Sequence, residues 1–429
     1  MLNLCYQSYI KIASALLFLG FSLILITDKV GGYCFAILLV ISLIQLTDRK
    51  SRDFDRTDCW MILVFSCYPF IVLLNLLIQD EFRLDEFDDT SRFLLVIPIY
   101  LALRGQNSIL NSASLGALTG LLAAIFMAVN SMLDGTESRF GGYENPVAFS
   151  QAAVLLACLS GCISINTSRE TKFPGWSVAP LTLISTAFTS LASQTRTTIV
   201  GAILLIPLAF PKTMPLKKRL LFLIFSLVIF TFLCITLVKL FGAPHVTESS
   251  NKTPEIVQIF ITDGPHKTVE ALLNESSTSM VSLGRRGALW IAGTEAILAN
   301  PIFGIGKGNF QKFVQKSSSL STSMKDSISI YSHAHNDLIQ VTAELGLIGL
   351  ASYIVFLLGS IAITLKNNFD LKSQRLVFMA VMSCFYYGLT QSALVGSQNI
   401  TLTITMLITL GLATGYNPML NDHNYKLAK

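Results

Sequence analysis

The sequence predicts an all-α polytopic membrane protein of about twelve transmembrane helices with one large, mostly helical loop on the outer side. Three observations carry that prediction. Only 13% of the 429 residues are charged, 52% are hydrophobic and the mean hydropathy is +0.59, whereas a soluble chain carries about 25% charged residues. The apolar residues fall into runs of the length that crosses a bilayer, about 20 per helix. Lysine and arginine are distributed unevenly between alternate loops, the signature of cytoplasmic retention. Disorder, collagen, coiled coil and a secreted disulfide scaffold are excluded by the same composition.

In chain order the spans are predicted at 10–27, 30–46, 59–78, 92–103, 113–133, 147–165, 175–192, 197–210, 219–241, 337–365, 375–395 and 398–416. The fourth and eighth are short and read as tilted, re-entrant or merged with a neighbour. The first follows Lys11 as a signal peptide would, but Ile24–Lys29 offers no small-residue cleavage site, so it reads as a retained anchor. The chain thus divides into spans one to nine over 1–241, a loop over 242–336, spans ten to twelve over 337–416 and a cytoplasmic tail over 417–429. All eight cysteines lie in or beside apolar runs. A disulfide framework or a thiolate metal site is therefore not expected, and Cys158 and Cys162, on one helix face, read as small buried hydrophobes.

With the amino terminus inside, the cytoplasmic short loops and tails collect 17 lysines and arginines and the opposite short loops only five, Lys29, Arg83, Arg92, Arg139 and Arg196. The segment 79–92 adds six carboxylates to the outer side. The loop 242–336 then lies outside, and is too long for a bare connection. Helices are predicted at 265–274, where Pro265 suits a first turn, and at 284–299, stopping at Asn300-Pro301. Between them NESSTSMVS reads as mobile.

The outer side also holds the polar groups that are costly at a membrane edge. Arg196 sits in SQTRTT between spans seven and eight, Arg139 in SRFGGYENP before span six, and Arg285 and Arg286 follow Gly284 at the predicted start of a helix. Helix N–H donors and guanidinium groups there can face one anion, and arginine binds phosphate through paired hydrogen bonds. Read singly, each is an interfacial anchor that snorkels; together they point to an exterior site for a phosphorylated, lipid-linked substrate. His333 and His335 enter span ten with Asn336 and Asp337 beside them. A histidine oriented by such an amide or carboxylate is a general base. The rival reading, a metal held by His333, His335 and Asp337 with His266 folded back, lacks an evident ligand set. Gly304, Gly306 and Gly308 around Lys307 lack the spacing of a nucleotide loop and read as a turn that packs a helix end. No nucleic-acid motif appears.

At these residues the chain resembles the bacterial O-antigen ligases, within the larger group that includes O-antigen polymerases and protein O-oligosaccharyltransferases. The resemblance runs through RFGGYENPVAF at 139–149, SQTRTT at 193–198, SLGRRGALWIAGTEAILANPIFGIGKGNF at 282–310 and SHAHNDLIQVTAELGLIG at 332–349. It implies a glycosyltransferase-C-like membrane enzyme of the bacterial inner membrane, with its active site facing the periplasm. Such an enzyme moves a glycan from an undecaprenyl-diphosphate-linked O-antigen donor to lipid A-core, with inversion and without a metal or other cofactor. By motif, the resemblance implies Arg196, Arg286 and His335 as catalytic residues and Arg285, Arg139 and His333 as substrate-binding neighbours. Some relatives carry an acid where this chain has Gln391, so a catalytic carboxylate there is not expected. An O-antigen polymerase is the nearest alternative. A protein O-oligosaccharyltransferase is disfavoured by the short tail, and a lipid-linked glycan transporter by charges that cluster at the rim rather than the midplane.

Overall fold

The computed structural model describes residues 6–27, 29–48, 54–79, 83–134, 139–143, 145–164, 178–195, 197–198, 201–202, helical positions scattered through 217–236, 244–367, 369–393 and 398–415. Among the described residues every regular element is a helix. They run α1 (Tyr6–Leu23), α2 (Val30–Asp48), α3 (Arg56–Ile78), α4 (Asp88–Leu103), α5 (Ser108–Asp134), α6 (Pro146–Ser164) and α7 (Val178–Ala192). After them come α8 (Pro244–Leu273), α9 (Thr278–Ala299), α10 (Phe310–Lys316), α11 (Thr322–Ile328), α12 (Asp337–Lys366), α13 (Leu371–Gly388) and α14 (Gln398–Gly415). The predicted spans eight and nine and the tail 417–429 lie wholly or largely outside the described residues.

Helices α2, α3, α5 and α12 are long and apolar enough to cross a membrane. Their outward faces carry Val40, Leu63, Phe70, Leu77, Phe126 and Leu358, all more than half exposed, which suits a lipid environment. Inward, Phe65 and Tyr68 of α3, Phe93 of α4 and Phe356 and Tyr353 of α12 pack edge to face, with Phe93 and Phe356 ring centroids 4.6 Å apart. One end of α3 begins in a reciprocal cap between Asp55 and Asp58. There buried Asp58 pairs with Arg104 and accepts from Tyr100 at 3.1 Å, and Gly105 donates to Ala413 of α14 at 2.8 Å. The opposite end of α3 meets the 300–309 segment, so the large loop and the acidic 79–92 connection share one side of the bundle.

Span ten is not the single helix expected over 337–365. Gly346 has φ +67° and ψ −166°, and the chain reverses there. The Tyr353 hydroxyl donates to Asp337 at 3.4 Å, although 16 residues of unbroken helix would separate the two by about 24 Å. Two arms therefore lie side by side: a buried arm from Asp337 to Leu345, and a 20-residue arm from Leu347 to Lys366, about 30 Å long and enough to span.

The reversal leaves helix ends that need partners, and the glycine-rich turn supplies them. Ile305 and Gly306 donate backbone N–H to Ala343 and Glu344 at 2.9 Å, while Leu347 and Ile348 donate to Pro301 and Ile302 at 2.8 and 3.4 Å. Buried Lys307 pairs with Glu344 at 3.0 Å, and Gly308 donates to the other Glu344 oxygen at 2.9 Å. Burial opposes the Lys307 charge, but Glu344 more than offsets it and the pKa rises. A Cβ on Gly346 would lie 2.1 Å from the Ile302 carbonyl oxygen, and one on Gly304 2.3 Å from Glu344 backbone. The turn packs a helix end, as its spacing suggests.

Three other expectations change. Helix α8 begins at Pro244, not 265, because two helices join across a kink at Gly264, φ +81°. Helix α9 begins at Thr278, directly after Ser277 in extended backbone, so most of NESSTSMVS is helix. Helix α13 stops at Gly388, seven residues before the expected 395, and releases 389–393 into the site described below.

Gly346→Ala is expected to lower the thermal midpoint in detergent, because the left-handed backbone alone costs roughly 1–2 kcal/mol for an alanine and the Ile302 overlap adds to it. Gly32→Ala, where a Cβ meets nothing within 4 Å, should leave the midpoint unchanged.

Candidate active site

A cavity of about 600 Å³ opens where α9, the ends of α7 and α13 and the segment before α12 converge, and its wall includes Arg139, Arg285, Arg286, His335, Tyr331 and Gln391. Four of the six residues singled out in the sequence thus share one wall. Arg196 lies outside the described residues, but its neighbours Gln194, Thr195 and Thr197 line the same cavity. His333 is not part of the wall; it packs behind His335, ring centroids 4.5 Å apart, with Nδ1 3.2 Å from the Ser332 hydroxyl. His266 borders a different cavity, between α8 and α9.

His335 is held from several directions. Trp290 of α9 donates to the Ala334 carbonyl at 3.1 Å, and Ala334 donates to Gln340 at 2.7 Å. Asn336 caps α12 through Ile339 at 3.1 Å and donates to the Leu389 carbonyl at 3.1 Å, tying the segment to the end of α13. The residue that orients the imidazole is neither Asn336 nor Asp337. Asp337 is fully buried against Tyr353, and the His335 ring instead donates from Nδ1 to the Gln391 side-chain oxygen at 2.9 Å. That hydrogen bond leaves Nε2 as the proton acceptor.

The arginines come from separate elements. Arg139 donates through Nε to the Ser193 carbonyl at 3.1 Å, and Phe140 donates to Ala192 at 2.7 Å, so the segment before α6 is strapped to the end of α7. Arg285 and Arg286 lie in the third turn of α9 rather than at its start, because α9 begins seven residues before Arg285. Its first turn nevertheless contributes Thr278, Ser279 and Met280 to the wall. The Arg285 Nε is buried without a hydrogen-bond partner among the described residues, a donor that an anion in the cavity would satisfy.

Burial, then the neighbouring His333 and the Arg286 charge, pushes the His335 pKa down to about 3, against a smaller upward pull from Gln391. Burial also lowers His333, aided by Lys307 and opposed by Glu344. Both rings are neutral at neutral pH. Among the described residues only Gln194, at φ +50°, and His335, at φ +51°, are non-glycines with left-handed backbone, and both line this cavity. Such conformations cluster at functional sites.

Sequence reading alone did not single out Gln194, Tyr331 or Asn145, which also line the wall. The Asn145 side chain accepts from Val147 at 2.9 Å, capping α6, and its Asn-Pro position was the available signal. Gln391 was legible only as a departure from an acidic motif, with nothing to link it to a histidine 56 residues away.

The O-antigen ligase family matches residues 181–354, a stretch that holds Gln194, Arg285, Arg286 and His335 and runs through the reversal at Gly346. Arg139 and Gln391 lie beyond it. An uncharacterized protein of Haemophilus influenzae is 24% identical over 399 residues, covering 88% of this chain and 92% of that one. Over the matched stretch the chain is similar to the O-antigen ligases, which supports the wider group of O-antigen ligases and polymerases and, with the apolar helices, a membrane protein of glycosyltransferase-like type.

Because the folded pKa of His335 lies below the ordinary value near 6.5, folding should lose stability as pH falls from there toward about 3. In NMR of ring-labelled histidine, the His335 signal is expected to stay neutral at pH 5 and to titrate higher once inorganic pyrophosphate fills the cavity. A signal already cationic at pH 6 without anion would contradict the burial and Arg286 effects.

Proposed function

We propose that the chain is an O-antigen ligase, transferring a glycan from undecaprenyl diphosphate to the outer core sugar of lipid A-core on the periplasmic side of the inner membrane. The observation that carries this reading is the gathering of Arg139, Arg285 and Arg286 from two distant segments around His335, in one cavity. Three guanidinium groups suit a diphosphate, and a neutral imidazole with a free acceptor nitrogen suits a hydroxyl. The wall residues Ile256, Val257 and Leu283 also border an apolar cavity of about 660 Å³ between α8 and α9. An anionic head with an apolar tail finds both environments side by side.

In this mechanism His335 Nε2 accepts the proton of the acceptor hydroxyl while the hydroxyl oxygen attacks the anomeric carbon from the face opposite the diphosphate. The bond from that carbon to the diphosphate oxygen breaks, and the electron pair leaves on the diphosphate. Arg286 and Arg285 stabilise the developing charge without reorganising; Arg196 and Arg139 join them by the family resemblance and by position on the wall respectively. The donor also changes the base. With a diphosphate against Arg286, the positive field that holds the imidazole neutral is offset, so His335 gains basicity when substrate is present.

His335→Ala is expected to lower turnover by about 10²–10⁴-fold with donor affinity nearly intact. Arg286→Ala should weaken both, and Arg286→Lys should restore little, because lysine lacks the two-pronged donor. Purified enzyme should keep its activity in excess EDTA. In cells, loss of the chain should leave bare lipid A-core with lipid-linked polymer accumulating. Core bearing a single repeat would instead identify a polymerase, and donor confined to the inner leaflet a transporter.

A further inference from the structure

The turn that closes the reversal and the end of α9 that feeds it carry an apolar surface that no described residue covers. Leu298 is 76% exposed, Ile302 54% and Phe303 68%. Phe303 lies at the end of α3, because the Asn75 side chain donates to its carbonyl at 3.3 Å; Ile302 lies beside the reversal, because Leu347 and Ile348 donate to the carbonyls of Pro301 and Ile302; and Leu298, in the last turn of α9, is at the rim of the cavity between α8 and α9. The edge of α3 just below carries exposed Leu74, Leu77 and Ile78, and the spanning arm of α12 starts with exposed Leu347. The apolar surface of the turn is therefore continuous with the lipid-facing surface of two membrane-spanning helices.

Its backbone has been made compatible with that setting. From Asn300 to Gly308, every carbonyl except that of Gly304 accepts a hydrogen bond: from Gly304, Leu347, Ile348 and Asn309 backbone, or from Asn75, Asn309, Gln79 and Arg83 side chains. The single cation of the turn, Lys307, is buried against Glu344. A solvent-facing loop has no need of such pairing, since water satisfies its polar groups; lipid cannot.

We infer that Leu298, Ile302 and Phe303 are seated in the lipid at the edge of the bilayer, and that through them the 244–336 unit rests on the membrane rather than standing clear of it. The partner is the acyl layer beneath the headgroups. This depends on α3 and α12 crossing the membrane and not on the reaction proposed above. Its consequence is to fix the cavity, which the same turn supports through α9 and the buried arm of α12, at the level where the head of a lipid substrate meets its tail.

The test uses the full chain in nanodiscs whose lipids carry bromine on the upper acyl carbons, with Phe303→Trp and, independently, Leu298→Trp. The added tryptophan emission, read as the difference from the parent chain, is expected to be largely lost to bromolipid and unaffected by iodide in the buffer. Loss to iodide without an effect of bromolipid overturns the inference. So does insensitivity to both, which would place these side chains against a second copy or another protein. Two sites are used so that a misfolded variant at one leaves the other to decide.

Discussion

A helix that reverses inside an apolar protein must find partners for its end groups, and that requirement organises this molecule. At Gly346 the last carbonyls of the buried arm and the first N–H groups of the next need partners, and each polar group left unpaired away from water would cost several kcal/mol. The 300–309 turn meets four of them with its own backbone and adds the buried Lys307–Glu344 pair. Removing one partner of such a pair costs about 3–5 kcal/mol by leaving the other charge stranded, so the turn cannot be displaced cheaply. Everything on either side inherits its position from this lock. The α9 helix ends in it, the buried arm of α12 starts from the histidine segment and runs into it, and α3 is tied to it through Asn75 and Gln79.

The site built on that scaffold is electrostatically one-sided. Arginines line the wall beside a histidine that is kept neutral by burial, by neighbouring His333 and by the Arg286 charge. In water such a field would be screened over about 10 Å, but the wall is partly buried and the charges act at short range. On the proposed function the arrangement would favour an anion as occupant and would couple its binding to proton affinity at His335. Gln391 makes the coupling sharper than a carboxylate would. It fixes the ring orientation while contributing no charge that would hold a proton on the histidine permanently.

Much of the architecture was legible in the sequence because its cause is compositional. Apolar runs such as those of α2, α3 and α5 have no reading other than membrane helices, and the cation asymmetry sorts their ends. The cluster of Arg139, Arg285, Arg286 and His335 was legible because charges on the cation-poor side stand out, and because those residues sit in family motifs. What escaped was tertiary. ELGLIG reads as uninterrupted helix, and only the backbone of Gly346 reveals the reversal. Helices α10 and α11, seven residues each, are too short for periodicity to register. The Gln391 partner of His335 comes from a different helix end, and no local pattern announces a contact across 56 positions. Arg196 rests on motif alone.

The left-handed backbone at His335 has an implication for anyone who would improve this protein. Glycine there would relieve about 1 kcal/mol of conformational cost and remove the imidazole. Gln194 shares the geometry, and the same trade holds for it in weaker form. A library ranked by thermal endurance would therefore drift toward glycine at the two positions that face the cavity and, if His335 acts as proposed, would enrich sturdy proteins that have lost their chemistry. On that reading, selection for longevity and selection for turnover pull in opposite directions at His335.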